Sequence, residues 1–198
     1  MLRKMLALLA ASILVSGCST IAPNSTPTNV SWQNRSHNLA NLQNWTLEGK
    51  IGVQTARDSG SANIDWTQRG QHFAISLTGP LGSNGMTLNG QPGAVSMTTS
   101  DGKHASASSP EQLLKQQWGW NLPVSNLKYW VLGLPVPGIP ASTQFDAYHR
   151  LASLSQQGWQ VDYLGYTNAG GLELPNRISI TSAAVRAKLV VYDWQASS

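Results

Sequence analysis

Cysteine is nearly absent: Cys18 is the only one in 198 residues. No intramolecular disulfide can form, and zinc ribbons, CxxC redox pairs and cysteine-ligated clusters are excluded. Charge is scarce as well. Asp, Glu, Lys and Arg make up 11% of the chain, against about 25% in an average domain. No run of Lys or Arg exceeds two residues. Nucleic-acid binding wants a basic face or stripe, and none is visible. The sequence also lacks a GxSxG elbow, an HExxH pair, a P-loop lysine motif and a GxGxxG fingerprint. Gly79, Gly82 and Gly85 recur, but Pro80 and Leu81 separate the first two and no Lys-Ser/Thr follows, which argues against a phosphate cradle. His37, His72, His104 and His149 are scattered, and Asp65, Asp146, Asp162 and Asp193 lie at strand positions without a paired carboxylate. Neither catalysis nor a metal site is expected.

What the chain does have begins at its N-terminus. Arg3 and Lys4 precede an apolar run from Met5 to Val15, and Val15-Ser16-Gly17 places small residues directly before Cys18. This order is that of a secretory signal peptide over residues 1–17, and its apolar run is too short for a permanent membrane span. Removing it takes away Arg3 and Lys4 and lowers the formal net charge from +4 to +2. Val15 to Cys18 resemble a lipobox, which implies diacylglyceryl on the Cys18 sulfur and an acyl chain on its new α-amine. No other cofactor is expected. Ser19 follows the cysteine, and by resemblance to enterobacterial sorting a residue there other than Asp implies the outer membrane. Residues 18–31, rich in Pro, Asn, Ser and Thr, read as a tether too polar to bury. Residues 32–198 read as one domain.

Within that domain, Trp32, Leu39, Leu42 and Trp45 recur at near-helical spacing and predict a short amphipathic helix over 32–45. The period then becomes two. Leu47, Gly49, Ile51 and Val53 alternate with Glu48, Lys50 and Gln54, and the habit continues through 62–66, 73–77, 86–88 and 95–97. Asn89-Gly90 and Pro92-Gly93 read as turns. Alternation returns over 145–154, 159–166, 177–181 and 185–194, separated by Gln-Gly, Gly-Gly and Leu-Pro breaks. The expectation is a meander of about nine to eleven short antiparallel strands. Two helices interrupt it. The first has Ser109 as N-cap and Pro110 at its first position, carries Leu113, Leu114 and Trp118 on one side, and ends at Gly119. The second opens at Pro123, presents Val124, Leu127, Trp130 and Val131, and is apolar almost all round. Such a helix wants partners on two sides. The pair either completes the core or forms a lid over a cavity for an apolar ligand.

The segments LEGKIGV (47–53), SANIDW (61–66), LTGPLG (77–82), WGWNLPVSNLKYWVLGLPVPG (118–138) and RAKLVVYDW (186–194), following a lipobox, resemble the outer-membrane lipoprotein receptor family LolB. The resemblance spans nearly the whole mature chain. It implies a mainly β fold, a half-open antiparallel barrel with a helical lid. It also implies a monomeric receptor that takes lipoproteins from the soluble periplasmic carrier LolA and places them in outer-membrane lipid. Leu113, Leu114, Trp118, Trp120, Leu127, Trp130 and Val131 are then expected to line a cavity for lipoprotein acyl chains. Pro80, Leu81 and Gly82, in a loop between two strands, match the family's protruding apolar loop, with Leu81 either dipping into the bilayer or folding back over the barrel end. A structural lipoprotein that scaffolds envelope proteins is the alternative function.

Overall fold

The computed structural model of the chain describes residues 29–82, 85–119 and 121–197. The signal segment, Cys18, most of the tether and Trp120 lie outside the described residues, as do the side chains of Leu81 and Trp118. Helix α1 (Trp32–Ala40) is capped by Ser31, whose Oγ accepts from the Asn34 amide at 3.4 Å. It is shorter than the spacing predicted. Leu42 lies in the short link after it, and Trp45 is already the second residue of a strand, buried by sheet packing instead of helical packing.

The first half of the sheet comprises β1 (Asn44–Thr55), β2 (Ser59–Arg69), β3 (His72–Thr78), β4 (Met86–Gln91), β5 (Ala94–Thr99) and β6 (His104–Ala107). Helices α2 (Pro110–Trp118) and α3 (Val124–Trp130) come next. The second half comprises β7 (Ser142–Phe145), β8 (Leu151–Gln156), β9 (Trp159–Ala169), β10 (Leu172–Thr181) and β11 (Val185–Ser197). All 11 strands form one antiparallel sheet in the order β6-β5-β4-β3-β2-β1-β11-β10-β9-β8-β7. Each half is a meander, because successive strands are joined by short turns and pair with their neighbours. The first and last strands join the halves, paired from Asn44↔Ser197 to Thr55↔Val185. The edges β6 and β7 do not meet, so the barrel is incomplete, and α2 and α3 carry the chain from one edge to the other.

Period-two alternation sets the faces. Trp45, Leu47 and Val53 are buried while Glu48, Lys50 and Gln54 are exposed. Helix α2 follows its sequence signals: the Ser109 Oγ accepts from the Gln112 amide at 3.3 Å, and Gly119 ends the helix at φ +69°, a conformation that costs glycine little. Three local expectations are corrected. Residues 145–154 form two strands, because Asp146 folds the chain back by accepting from the amides of Tyr148 (2.9 Å) and Arg150 (3.0 Å). Asn89-Gly90 lies inside β4, and Pro92-Gly93 alone makes the turn. Gly90 is needed there for close approach, since a Cβ would fall 2.6 Å from the Ala94 carbonyl oxygen. Leu174-Pro175 lies inside β10, where the pairing with β9 shifts register after Pro175.

The buried core is continuous and lies between Leu39 and Trp194, with Trp32 and Ala196 packed against it at either end. A chain of residues 19–198 therefore retains all of it. One polar cluster is buried with it. Arg35 on α1 pairs with Glu173 on β10 at 2.8 Å, each 6% exposed, and Arg150 pairs with Glu173 at 3.1 Å and with Asp146 at 2.7 Å. Arg150 also stacks on the Tyr166 ring, 4.5 Å from its centroid. The cluster fastens α1 to the second half of the sheet.

Candidate functional site: an apolar cavity beneath the helices

The inner face of the sheet is filled unevenly. Over β8–β11 it is packed solid: Leu151, Leu154, Val161, Leu174, Ile178 and Ile180 are all fully or almost fully buried. Trp130 belongs to this packed half. Its indole N–H needs an acceptor once buried, and Gln156 on β8 supplies one at 3.1 Å. The same Gln156 side chain accepts from the Val136 amide (2.9 Å) and donates to the carbonyls of Val136 (3.1 Å) and Ile139 (2.9 Å). The Tyr163 hydroxyl donates to the Trp130 carbonyl at 3.0 Å. This end of the helical segment is thus bolted to the sheet by hydrogen bonds that close deep in the core.

Over β1–β4 the inner face is not filled. A cavity of about 450 Å3 lies there, walled by Ile51 and Val53 of β1, Ile64 and Trp66 of β2, Ile75 and Leu77 of β3, and Met86 and Leu88 of β4. Its roof is Leu114 of α2, Leu122, and Val124 and Leu127 of α3. Asp58, Ser61, Gly79 and Pro80 stand at the same end of the strands and mark the rim. The Trp45 and Trp66 rings, 5.2 Å apart, close the opposite end, with Trp194 5.5 Å from Trp45. Beyond them lies a cleft of about 910 Å3 between α1 and residues 128–137, with His37, Gln43, Gln68 and Lys128 on its walls. That cleft is the larger space, yet His37, Gln43, Gln68 and Lys128 interrupt its apolar walls and suit an acyl chain poorly. The smaller cavity offers almost unbroken hydrocarbon.

The residues anticipated as cavity lining divide. Leu114 and Leu127 are on its roof. Leu113, Trp130 and Val131 are not: they are buried elsewhere in the core, Leu113 on α2, which packs on β5 and β6, and Trp130 and Val131 at the bolted end of α3. The Trp118 side chain and the whole of Trp120 fall outside what the structure describes. Most of the wall comes from strand residues whose alternation was evident but which had not been assigned to a cavity. Pro80, Leu81 and Gly82 form a single 3-10 turn between β3 and β4, closed by the Gly82 amide donating to the Gly79 carbonyl at 3.1 Å. This puts the turn beside the rim. Among the described residues no group of three or more His, Cys, Asp or Glu could hold a metal ion.

Two positions on α3 should separate binding from stability. Leu127→Asp puts a carboxylate in the roof and is expected to weaken a fluorescent fatty-acyl probe at least tenfold. Trp130→Phe loses the bond to Gln156 and should lower stability by about 1–3 kcal/mol with probe affinity kept. Equal losses of probe affinity in both variants would show that the cavity is not the acyl site.

Comparison with known proteins agrees with this architecture. The family described as "Outer membrane lipoprotein LolB" matches residues 43–194. An outer-membrane lipoprotein LolB from Stutzerimonas stutzeri is 40% identical over 188 residues, covering 93% of this chain and 91% of that protein. The one from Pseudomonas savastanoi pv. phaseolicola is 42% identical over 164 residues, covering 83% and 80%. Among solved structures, a LolA-superfamily protein from Nitrosomonas europaea superposes with a TM-score of 0.57 at 10% identity, covering 85% of this chain and 94% of that one. A putative outer-membrane lipoprotein-sorting protein domain from Vibrio parahaemolyticus gives 0.57 at 8% identity, covering 84% and 90%. At such identities the structures speak for the fold, while the match over 43–194 and the 40% relatives speak for kinship. By that kinship the chain belongs to the outer-membrane lipoprotein LolB family.

Proposed function

We propose that this protein, anchored on the periplasmic side of the outer membrane, receives lipoproteins from a soluble LolA-like carrier, shelters their acyl chains in the cavity beneath α2 and α3, and releases them into the bilayer. The observation that carries the reading is the unfilled apolar half of the inner sheet face, roofed by Leu114, Val124 and Leu127. Burying a lipid methylene is worth about 0.8 kcal/mol, so a chain of roughly fifteen resists water by about 12 kcal/mol. A lipoprotein cannot cross an aqueous space at useful rates with such chains bare. A cavity of this kind needs neither a charged catalyst nor a metal, because transfer runs down a gradient of apolar burial from carrier to receptor to bilayer.

The test mixes a chain of residues 19–198 with carrier loaded with a labelled lipoprotein, then adds vesicles. Cargo should leave the carrier for the receptor and then appear in lipid. If cargo stays on the carrier while the receptor is folded, the protein is a scaffold and not an acceptor.

The anchor is part of the same proposal. Lipid is attached at Cys18, whose sulfur takes the diacylglyceryl group and whose freed α-amine takes a third chain. Cys18→Ser is expected to leave an uncleaved, unlipidated precursor, since a hydroxyl does not replace the thiolate. Mass spectrometry of the mature N-terminus decides the matter, and an unmodified Cys18 in the native protein would sink it.

A further inference from the structure

The outward face of a sheet with one solvated side is normally polar. Here three large apolar residues stand on it: Leu164 is 58% exposed, Tyr192 69% and Val190 38%. Two of them are put there by bulges. Glu48 pairs with Asp193 and Gly49 with Val191, so Tyr192 is the extra residue of β11. Arg177 pairs with Gly165 and Ile178 with Tyr163, so Leu164 is the extra residue of β9. A bulge re-aims a side chain at the cost of ladder pairing, and both re-aim an apolar group toward solvent.

Cations gather on the same face. Reading across the strands, one row holds Lys50, Val190 and Arg177, the next Gly52, Lys188 and Ser179, and the next Gln54, Arg186 and Thr181. Lys50, Arg177, Arg186 and Lys188 are all exposed, and none takes part in an ion pair among the described residues. Arg177 lies against the sheet: a Cβ on Gly165 would come within 3.0 Å of its Nε, and its Nη2 donates to the Leu164 carbonyl at 3.3 Å. The sign then reverses abruptly. The next outward row joins Asp65, Glu48 and Asp193. The basic rows lie toward the end of the strands that carries the cavity rim, and the acidic row lies toward α1.

We propose that the outward face around Lys50, Arg177, Arg186 and Lys188 binds anionic phospholipid, with Leu164, Val190 and Tyr192 settling at the headgroup level. The domain lies on this face, tilted by its sign boundary so that the rim and turn Pro80–Gly82 meet the bilayer. The inference rests on the membrane-side function above. Lys and Arg near an anionic surface each contribute attraction, and Tyr favours the interface. Chain length points the same way. Val30 sits by Gly171 and Leu172, at the end remote from the rim. Cys18 precedes it by 12 residues, a covalent reach of about 40 Å. The 12 residues of β1 themselves span about 40 Å. A domain standing upright on its rim would leave that connection no slack, whereas one lying on its outward face needs little of it.

The test measures co-sedimentation of residues 19–198 with vesicles of phosphatidylethanolamine and phosphatidylglycerol, and with phosphatidylcholine vesicles. Binding is expected only to the anionic vesicles and is expected to fall as salt rises. The R186Q/K188Q variant should bind about thirtyfold more weakly, while R69Q/K115Q, with the same change in net charge at exposed sites elsewhere, should bind like the parent. Equal loss in both variants, or equal binding to phosphatidylcholine, overturns the proposal. So does failure to bind vesicles, including the case in which the loaded carrier instead covers this face, because the surface would then be a protein interface. Cargo transfer from carrier to R186Q/K188Q without vesicles should match the parent. Loss of vesicle binding with that transfer intact counts against this surface alone, and loss of transfer in the parent counts against the function itself.

Discussion

Glu173→Gln is expected to lower the thermal midpoint by roughly 10 °C. Glu173 is 6% exposed and serves two guanidinium groups, Arg35 at 2.8 Å and Arg150 at 3.1 Å. Removing its charge takes from Arg35 and Arg150 the buried carboxylate that they share. Breaking a buried pair from one side costs about 3–5 kcal/mol, and each kcal/mol moves the midpoint of a domain this size by about 2–4 °C. Replacing both partners, Arg35→Leu with Glu173→Leu, should cost less than Glu173→Gln alone, because the more buried of the two guanidinium charges leaves together with the carboxylate. Urea unfolding of the single and double variants reads both effects. A change below about 1 kcal/mol in Glu173→Gln would mean that water reaches the cluster. The apolar cavity lies beyond the Trp45–Trp66 wall, so probe binding well below the midpoint should survive the substitution.

Leu81→Asp is expected to slow release of cargo into lipid by roughly ten- to a hundredfold, with cargo uptake from the carrier unchanged. The turn Pro80–Gly82 is short and sharply closed, with Gly82 at φ +78°, and Gly79 and Pro80 border the cavity. Settling one leucine into the bilayer contributes about 1.5–3 kcal/mol. That is trivial beside the lipid proposed on Cys18, so on this reading Leu81 is not needed to keep the protein on the membrane. The same energy spent bringing the rim against lipid corresponds to one or two powers of ten in rate. The measurement is the rate at which labelled lipoprotein enters vesicles from a preloaded receptor. Release at the parental rate, or a variant that no longer unfolds cooperatively, would show that Leu81 has no such role.

Local rules made much of the fold readable. Alternation around Leu47, Ile64, Ile75 and Leu88 identified the inner face, and Ser109 with Gly119 bracketed α2, because these signals depend only on neighbours a few residues away. Pairings across the chain were not readable in the same manner. Arg35 meets Glu173 across 138 positions, and no local pattern announces that. Trp130 illustrates the limit at the site. Its place on the apolar face of α3 was evident, but whether that face met a void or a packed layer depended on Gln156, 26 residues away. The residues of α3 nearest its start, Val124 and Leu127, reached the cavity instead. Which half of the sheet would be left unfilled is a property of summed volumes over β1–β4 and β8–β11, and single positions do not encode it.

The pairing of β1 with β11 also sets the order of events during export. If the chain is exported from its N-terminal side, as the proposed signal peptide requires, β1 has β2 on one side but lacks its second partner until residues 185–197 have followed. Joining the two meanders means closing a loop almost as long as the domain, and contacts so far apart in sequence form late and slowly. The proposed maturation at Cys18 therefore need not wait for folding, and during that interval the apolar strands are exposed. The newly exported chain should then depend on periplasmic holding factors until its last dozen residues arrive, and C-terminal truncation into β11 should leave a product open to proteolysis along its whole length.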